Sequence, residues 1–405
     1  MGAPPYSERD DQLTRRFLSE QHEAALETLS LWMREAGMAV RVDDAANLIG
    51  RYEGEAAGAP ALMIGSHIDT VRNAGRYDGA LGVMLGVDCV EALAASGRRL
   101  PFALEVIAFG DEEGSRFPAA MNCSRAVAGI ADPAALRLSD SEGVSLADAL
   151  ADFVRARADV RPAARAPGDV IAFLEAHIEQ GPVLEAEGLP LGVVTAIAAQ
   201  KRLMVRLVGR AGHAGTTPMH LRRDPGPAAA EAILAVERIC GGREGLVGTV
   251  GRITAFPGGF NVIPGAVEFS LDVRAPCSAM RDAALARITA ELAAISDRRG
   301  LSLEVELLKD LAESPCDPGL IGRLETALER IGVAPRRLPS GAAHDAMIMT
   351  ALCPSAMLFI RCKGGISHNP AEAVDPADAA VAARATLAFI DLLAQAHVPA
   401  VEVGA

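Results

Sequence analysis

Apolar and polar positions follow two different grammars along the chain. Residues 22–35 set Leu26, Leu29 and Met33 at helical spacing and predict an amphipathic helix that Gly37 stops. Short strands are expected at 40–42 and 47–52. A strongly apolar strand at 61–64 then runs out into Gly65-Ser66-His67-Ile68-Asp69-Thr70. Residues 80–94 are apolar nearly all round, which predicts a helix deep in the core. A strand at 104–109 empties into Gly110-Asp111-Glu112-Glu113-Gly114. Strands alternating with helices define an α/β domain, and such sheets carry their sites where strands end.

The grammar changes near residues 198–202. Segments 203–208, 247–255 and 267–274 read as strands with alternating faces, with helices at 227–239 and 280–297 and a further strand at 303–308. That order fits an open sheet with two helices on one face, a second α+β domain inserted in the first. The first domain resumes near Pro315, with a helix at 319–331, a strand at 356–360 and a last helix at 376–394. The expected division is 1–199 and 315–405 for the outer domain and 200–314 for the insertion, in keeping with a length of 405 residues.

Composition narrows the partners. Aromatic residues make up only 4% and the net charge is −13, so neither base stacking nor attraction to nucleic acid or anionic lipid is expected. The seven cysteines are scattered without a C-x-x-C pair, which predicts buried thiols rather than disulfides or a thiolate zinc site. The first residues lack a signal-peptide pattern, Tyr6 stands where myristoylation needs Ser or Thr, and no apolar run reaches membrane-spanning length; a cytoplasmic protein is expected.

Five segments concentrate metal-capable side chains: 66–70, 77–79, 111–114, 175–180 and 365–370, carrying His67, Asp78, Glu113, His177 and His368. Imidazole and carboxylate together suit Zn²⁺ or Mn²⁺, and the absence of thiolates favours a catalytic over a structural site. Two ions sharing a carboxylate polarise a carbonyl and activate water, and Asp78 is the expected bridge. On a regular strand His67 and Asp69 face the same way, so Asp69 could fix the tautomer of His67. Adjacent Glu112 and Glu113 need different roles: Glu113 as ligand, Glu112 as general base. Arg274 ends a predicted strand, where it either clamps a substrate carboxylate or pairs with a neighbouring acid.

Together with Tyr77-Asp78-Gly79-Ala80-Leu81-Gly82, Ala176-His177-Ile178-Glu179-Gln180-Gly181-Pro182, Gly212-His213-Ala214-Gly215-Thr216-Thr217-Pro218-Met219 and Ile366-Ser367-His368-Asn369-Pro370, these segments resemble the M20 metallopeptidase-related amidohydrolases. The likeness runs from about Thr14 to the last helix. Within the family it points to the branch of allantoate amidohydrolases, N-carbamoyl-L-amino acid hydrolases and ureidopropionases. The resemblance implies a zinc-exopeptidase-like catalytic domain with an inserted open-faced-sandwich lid and dimerisation domain. It implies one divalent ion on His67, Asp78 and His177, a second on Asp78, Glu113 and His368, Glu112 as base, and Asp69 supporting His67. For the substrate it implies Arg274 on a carboxylate, hydrogen bonds from Asn261, Gln180 and His213, and a backbone contact at Gly341. It also implies a homodimer in which His213 reaches the partner's active site and stabilises the oxyanion.

Residues 14–19 and 32–38 resemble the allantoate enzymes somewhat more than the carbamoylases, which favours allantoate hydrolysis in purine-nitrogen recovery. N-carbamoyl-L-amino acid hydrolysis, ureidopropionase or peptidase activity are the alternatives, and a non-catalytic binding protein would be expected to have lost a ligand or the base. Ala198-Ala199 and Asn122-Cys123-Ser124 depart from the family pattern near the domain crossover and near the substrate. His344 is expected to line the pocket or serve structure, and His22, His220 and His397 are assigned no role in the site.

Overall fold

The structure, a computed structural model, describes residues 1–154 and 159–397, so the end of the expected 315–405 segment beyond 397 lies outside the described residues. The chain opens with α1 (Glu20–Glu35), β1 (Ala39–Val42), β2 (Leu48–Tyr52), β3 (Ala61–His67), α2 (Ala80–Ala95) and β4 (Ala103–Phe109). Short helices α3 (Asn122–Val127) and α4 (Leu146–Phe153) precede β5 (Val170–Ile178), α5 (Val183–Glu187) and β6 (Leu191–Ile197). Next come β7 (Ala199–Val208), β8 (Gly212–His213), α6 (Pro225–Cys240), β9 (Val247–Thr249), β10 (Ile253–Phe256), β11 (Val262–Ile263), β12 (Ala266–Ala275), α7 (Ser278–Arg299), β13 (Ser302–Leu311) and β14 (Ser314–Pro315). The last stretch holds α8 (Pro318–Arg330), β15 (Arg337–Ser340), α9 (Ala346–Met349), β16 (Ser355–Ile360) and α10 (Pro376–His397).

Contacts divide these elements into two compact units. One comprises residues 1–195, 316–338 and the chain from 343 onward; the other comprises 196–315 and 339–342. In the first unit a mixed sheet runs β1-β2-β4-β3-β5-β16-β6, with β3, β4, β5 and β16 parallel to their neighbours in that centre. β3, β4 and β16 are buried at every position, as expected of central parallel strands covered on both faces. α2 packs against β3 and β5, which explains its broad apolar surface, while Asp88 and Glu91 remain exposed. A Cβ at Gly82 would lie 2.1 Å from the Ala176 carbonyl oxygen, so the approach of α2 to β5 requires glycine there.

In the second unit the sheet order is β10-β12-β7-β13, with β9 also on β12. β12 alternates buried and half-buried residues, and α6 and α7 cover one face, sealing Val205, Leu207, Phe269, Leu271 and Val273 against Ala228, Ala232, Ile288 and Leu292. The single strand expected at 247–255 is instead broken. Between the pairs Thr249↔Asp272 and Ile253↔Phe269, residues 250–252 stand opposite only Ser270 and Leu271. This bulge is bridged by Ser270, whose Oγ accepts from Arg252 N at 3.0 Å, and an inserted residue of this kind leaves no mark in hydrophobic periodicity. Among the described residues no helix is long and apolar enough to cross a membrane.

Candidate metal centre

β3 continues past the expected end at residue 64 and carries His67 as its last residue. β5, the next strand in the sheet, presents His177, and β4 leads into the loop of Glu112 and Glu113. Asp78 lies just before α2, and His368 stands in the loop between β16 and α10. The bend at Gly79 is sterically determined: its φ is +65°, and a Cβ there would meet His67 Cε1 at 2.5 Å.

Asp78 is the hub. Its Oδ1 is 3.1 Å from His177 Nε2 and 3.8 Å from His67 Nε2, while its Oδ2 is 3.1 Å from His368 Nε2. His368 Nε2 is in turn 3.3 Å from Glu113 Oε1. Ligand atoms of His67, Asp78 and His177, and those of Asp78, Glu113 and His368, converge within 4.8 Å of one another. Tetrahedral ligands of a zinc ion are separated by about 3.3 Å, so both groups fit a divalent ion after small adjustments.

The donor chemistry supports that fit. His67 Nδ1 lies 3.1 Å from the Asp69 carbonyl and His177 Nδ1 lies 2.9 Å from the Ile178 carbonyl, contacts that each require the proton on Nδ1. Both Nε2 atoms, 3.5 Å apart, then turn lone pairs toward each other and toward Asp78 Oδ1. Such convergence is repulsive unless a proton or a metal ion lies between. The same field acts on the protonation states. Burial opposes charge on His67 and His177, but Asp69 and Glu112 around the first and Asp78 beside the second raise their pKa values. Burial also works to raise Asp78, yet His177 and His368 outweigh it and hold this carboxyl well below its usual range.

Glu112 is nine-tenths buried, and burial pushes its pKa well up, with Glu113 and Asp345 adding to the shift while His67 opposes it. Burial likewise pushes Glu113 up to about 7. Asp69 stands beside His67 and makes further contacts. β3 ends before it, so its backbone carbonyl rather than its carboxylate is the nearer partner of His67 Nδ1, the carboxylate Oδ1 standing at 3.5 Å. Its two oxygens accept from Glu112 N at 3.1 Å and Glu113 N at 3.2 Å, holding the loop of the base and the ligand.

Gln180 adopts a left-handed φ of 56°, and its Nε2 reaches Asp78 Oδ1 and Ser367 Oγ, each at 3.2 Å. Its Oε1 is buried and finds no donor among the described residues. His344 is buried edge-on to His177, with ring centroids 4.4 Å apart. The divergent Asn122-Cys123 segment is clipped to Asp111, whose carboxylate accepts from Asn122 N at 3.1 Å and Cys123 N at 3.0 Å.

The remaining sequence-predicted residues lie in the second unit. His213 is exposed on β8, which pairs with β11, and Ala214 N donates to the Asn261 carbonyl at 2.9 Å, so His213 and Asn261 are brought together. Arg274 is paired with the neighbouring acid: Nε and Nη2 meet the two Asp272 oxygens at 3.0 Å each, and Nη1 donates to the Gly341 carbonyl at 2.6 Å. Arg202 Nε also reaches Asp272 at 3.0 Å, which leaves a local excess of positive charge. Arg202, Asp272, Arg274 and Gly341 line a groove of about 510 Å³ with Leu203, Val247 and Leu308.

Sequence reasoning overlooked three polar residues that support the centre. Glu175 accepts from Ser66 Oγ at 2.7 Å and Ala346 N at 2.8 Å; Ser367 and Glu372 contact the Asp78 segment. An acid two residues before His177 inside the largely apolar run 170–178 was the available signal for Glu175.

Residues 63–392 match peptidase family M20/M25/M40, and the chain belongs to that family. It is accordingly an amidohydrolase in the broad sense, an enzyme that hydrolyses C–N bonds. An N-carbamoyl-L-amino acid amidohydrolase of Geobacillus stearothermophilus is 42% identical over 383 residues, 95% of this chain and 94% of the relative. Allantoate deiminase 2 of Glycine max is 39% identical over 425 residues, 96% of this chain and 86% of the relative. A crystal structure of a hydantoinase/carbamoylase family amidase from Burkholderia ambifaria superposes with a TM-score of 0.89 at 35% identity, covering 97% of this chain and 94% of that one.

Proposed function

We propose that the chain hydrolyses a ureido (carbamoyl) C–N bond in a small carboxylate, with two divalent ions, Zn²⁺ or Mn²⁺, per subunit. The observation that carries this reading is the division of Asp78, one oxygen facing His67 and His177 and the other facing His368 beside Glu113. Bound there, the two ions would supply Lewis acidity toward the carbonyl and lower the pKa of the attacking water.

The chain's own residues account for the rest. Glu112, buried beside the ligands, takes the proton from water as the new C–O bond forms. It then delivers that proton to the departing nitrogen as the C–N bond breaks. Asp69 fixes the loop of Glu112 and Glu113 by their backbone N–H groups. Gln180 offers its unpartnered carbonyl oxygen to a substrate N–H, since a buried acceptor without a donor is costly. The excess positive charge of Arg274 and Arg202 over Asp272 suits a substrate carboxylate, with Asn261 and the Gly341 backbone as further contacts. His213 acts as oxyanion stabiliser in the partner site of a homodimer. The exposed side chains of Met219, Leu221 and Phe260 in the segments flanking His213 and Asn261 favour coverage by a second copy.

Allantoate is the first choice of substrate, on the family likeness of residues 14–19 and 32–38. N-carbamoyl-L-amino acids are the second, favoured by the 42% identity to the Geobacillus relative. Ammonia release and amino-acid release, measured with Mn²⁺ or Zn²⁺ on allantoate, several N-carbamoyl amino acids and dipeptides, separates the readings. Preference for allantoate supports the first; preference for carbamoyl amino acids replaces it with the second. Turnover of dipeptides alone would refute both.

A further inference from the structure

Two buried carboxylates outside the ligand set each accept from two consecutive backbone amides of a loop that presents a proposed ligand, Asp69 through both oxygens and Glu372 through one. Asp69, two residues after His67, accepts from the consecutive amides of Glu112 and Glu113. Glu372, four residues after His368, accepts on Oε1 from the consecutive amides of Tyr77 at 2.8 Å and Asp78 at 3.1 Å. The His67 and His368 segments thus each carry an acid that grips a loop presenting a proposed carboxylate ligand.

The Glu372 grip also returns to its own loop. Its Oε2 lies 3.1 Å from Ser367 Oγ, and that hydroxyl is 3.2 Å from Asp78 Oδ2 and accepts from Gln180 Nε2. A serine hydroxyl carries one proton, so it donates to Glu372 or to Asp78 but not to both. Glu372 is 4% exposed and pressed on the backbone at Gly75, where a Cβ would sit 2.1 Å from its Cδ. His368 itself is half exposed and adopts a left-handed φ of 55°. Its position relative to Asp78 therefore depends on what ties the two loops together. His67 and His177 are held differently, each in a buried strand and through its own Nδ1 contact.

We infer that Glu372 is a positioning residue that sets Asp78 against His368 and so governs ion affinity at the Asp78–Glu113–His368 group. The inference rests on the two-ion reading above. Its test is a calorimetric titration of the metal-free full chain with Mn²⁺. The wild-type chain is expected to take up two ions. Glu372→Ala is expected to lose about 10- to 100-fold at the ion of Asp78, Glu113 and His368, the usual cost of removing a residue that supports a ligand, and clearly less at the other, which shares Asp78 but keeps His67 and His177 on buried strands. Glu372→Gln, whose amide oxygen can still accept both backbone N–H groups, is expected to restore most of that loss. Unchanged uptake by Glu372→Ala, equal weakening of both ions, or no rescue by Gln would each overturn the inference. If circular dichroism shows that Glu372→Ala does not fold, Glu372→Asp, one methylene shorter, is titrated with the same uneven loss expected. Fewer than two ions on the wild-type chain would instead refute the two-ion reading, which keeps the two failures apart.

Discussion

Replacing Asp69 by Asn removes one charge and one acceptor from the centre while leaving its shape almost unchanged. Asp69 is fully buried, and each of its oxygens accepts one backbone N–H, from Glu112 at 3.1 Å and from Glu113 at 3.2 Å. An Asn side chain keeps one carbonyl oxygen and turns an NH₂ group toward the other amide, so one buried N–H loses its acceptor. That loss is worth about 1–3 kcal/mol. The same loop carries the proposed base and a proposed ligand, so the second consequence is functional: ion affinity should fall about 10- to 100-fold. Urea unfolding of the metal-free chain reads the first effect, and Mn²⁺ titration together with kcat at saturating metal reads the second. An Asp69→Asn chain with wild-type unfolding midpoint, ion affinity and kcat would refute the reasoning, because neither the amide contacts nor the loop would then depend on the carboxylate.

Two other perturbations follow from the same geometry. Glu112→Gln should lower kcat by about 10²- to 10⁴-fold with ion content unchanged by elemental analysis, since the residue is assigned to proton transfer and not to ligation. His22 is fully buried, and burial together with Arg15 lowers its pKa to about 3. The unfolded chain takes up this proton near pH 6.5 and the folded chain does not, so the stability it contributes is complete above pH 6.5 and is lost as pH falls. The slope is about 1.4 kcal/mol per pH unit, or about 2 kcal/mol between pH 6 and pH 4.5. Unfolding free energies of wild type and His22→Phe across that range should differ in slope by this amount; equal slopes would contradict it.

Much of the architecture was legible because the strongest signals are local. The run 80–94 is apolar apart from Asp88 and Glu91, and only a helix covered on most of its surface accommodates that; α2 buries nine residues and leaves Asp88 and Glu91 exposed. The passage from an apolar strand into His67 and Asp69, or into Glu112 and Glu113, likewise announces a site wherever it occurs. β5 is harder to read, because Glu175 and His177 interrupt its buried apolar run and no alternation replaces it. The partner of Arg274 was one of two options in the sequence, and only the strand register, with Asp272 two residues away and Arg202 opposite Asp272, shows the pairing. The grip of Glu372 on Tyr77 and Asp78 spans 294 residues or more, a distance over which no periodicity operates. Asp69 shows the limit of spacing: it points to a place beside His67, 3.5 Å from Nδ1, but not to the two backbone amides that the same carboxylate accepts from once the strand stops at His67.

The central claim is that catalysis requires two divalent ions held around Asp78. The most direct test strips the chain with a chelator, restores Mn²⁺ in steps, and follows ammonia release from allantoate and from N-carbamoyl amino acids. The account predicts no turnover in the stripped chain and full recovery at two ions per subunit. Turnover that persists without metal, or that saturates at one ion, would contradict it.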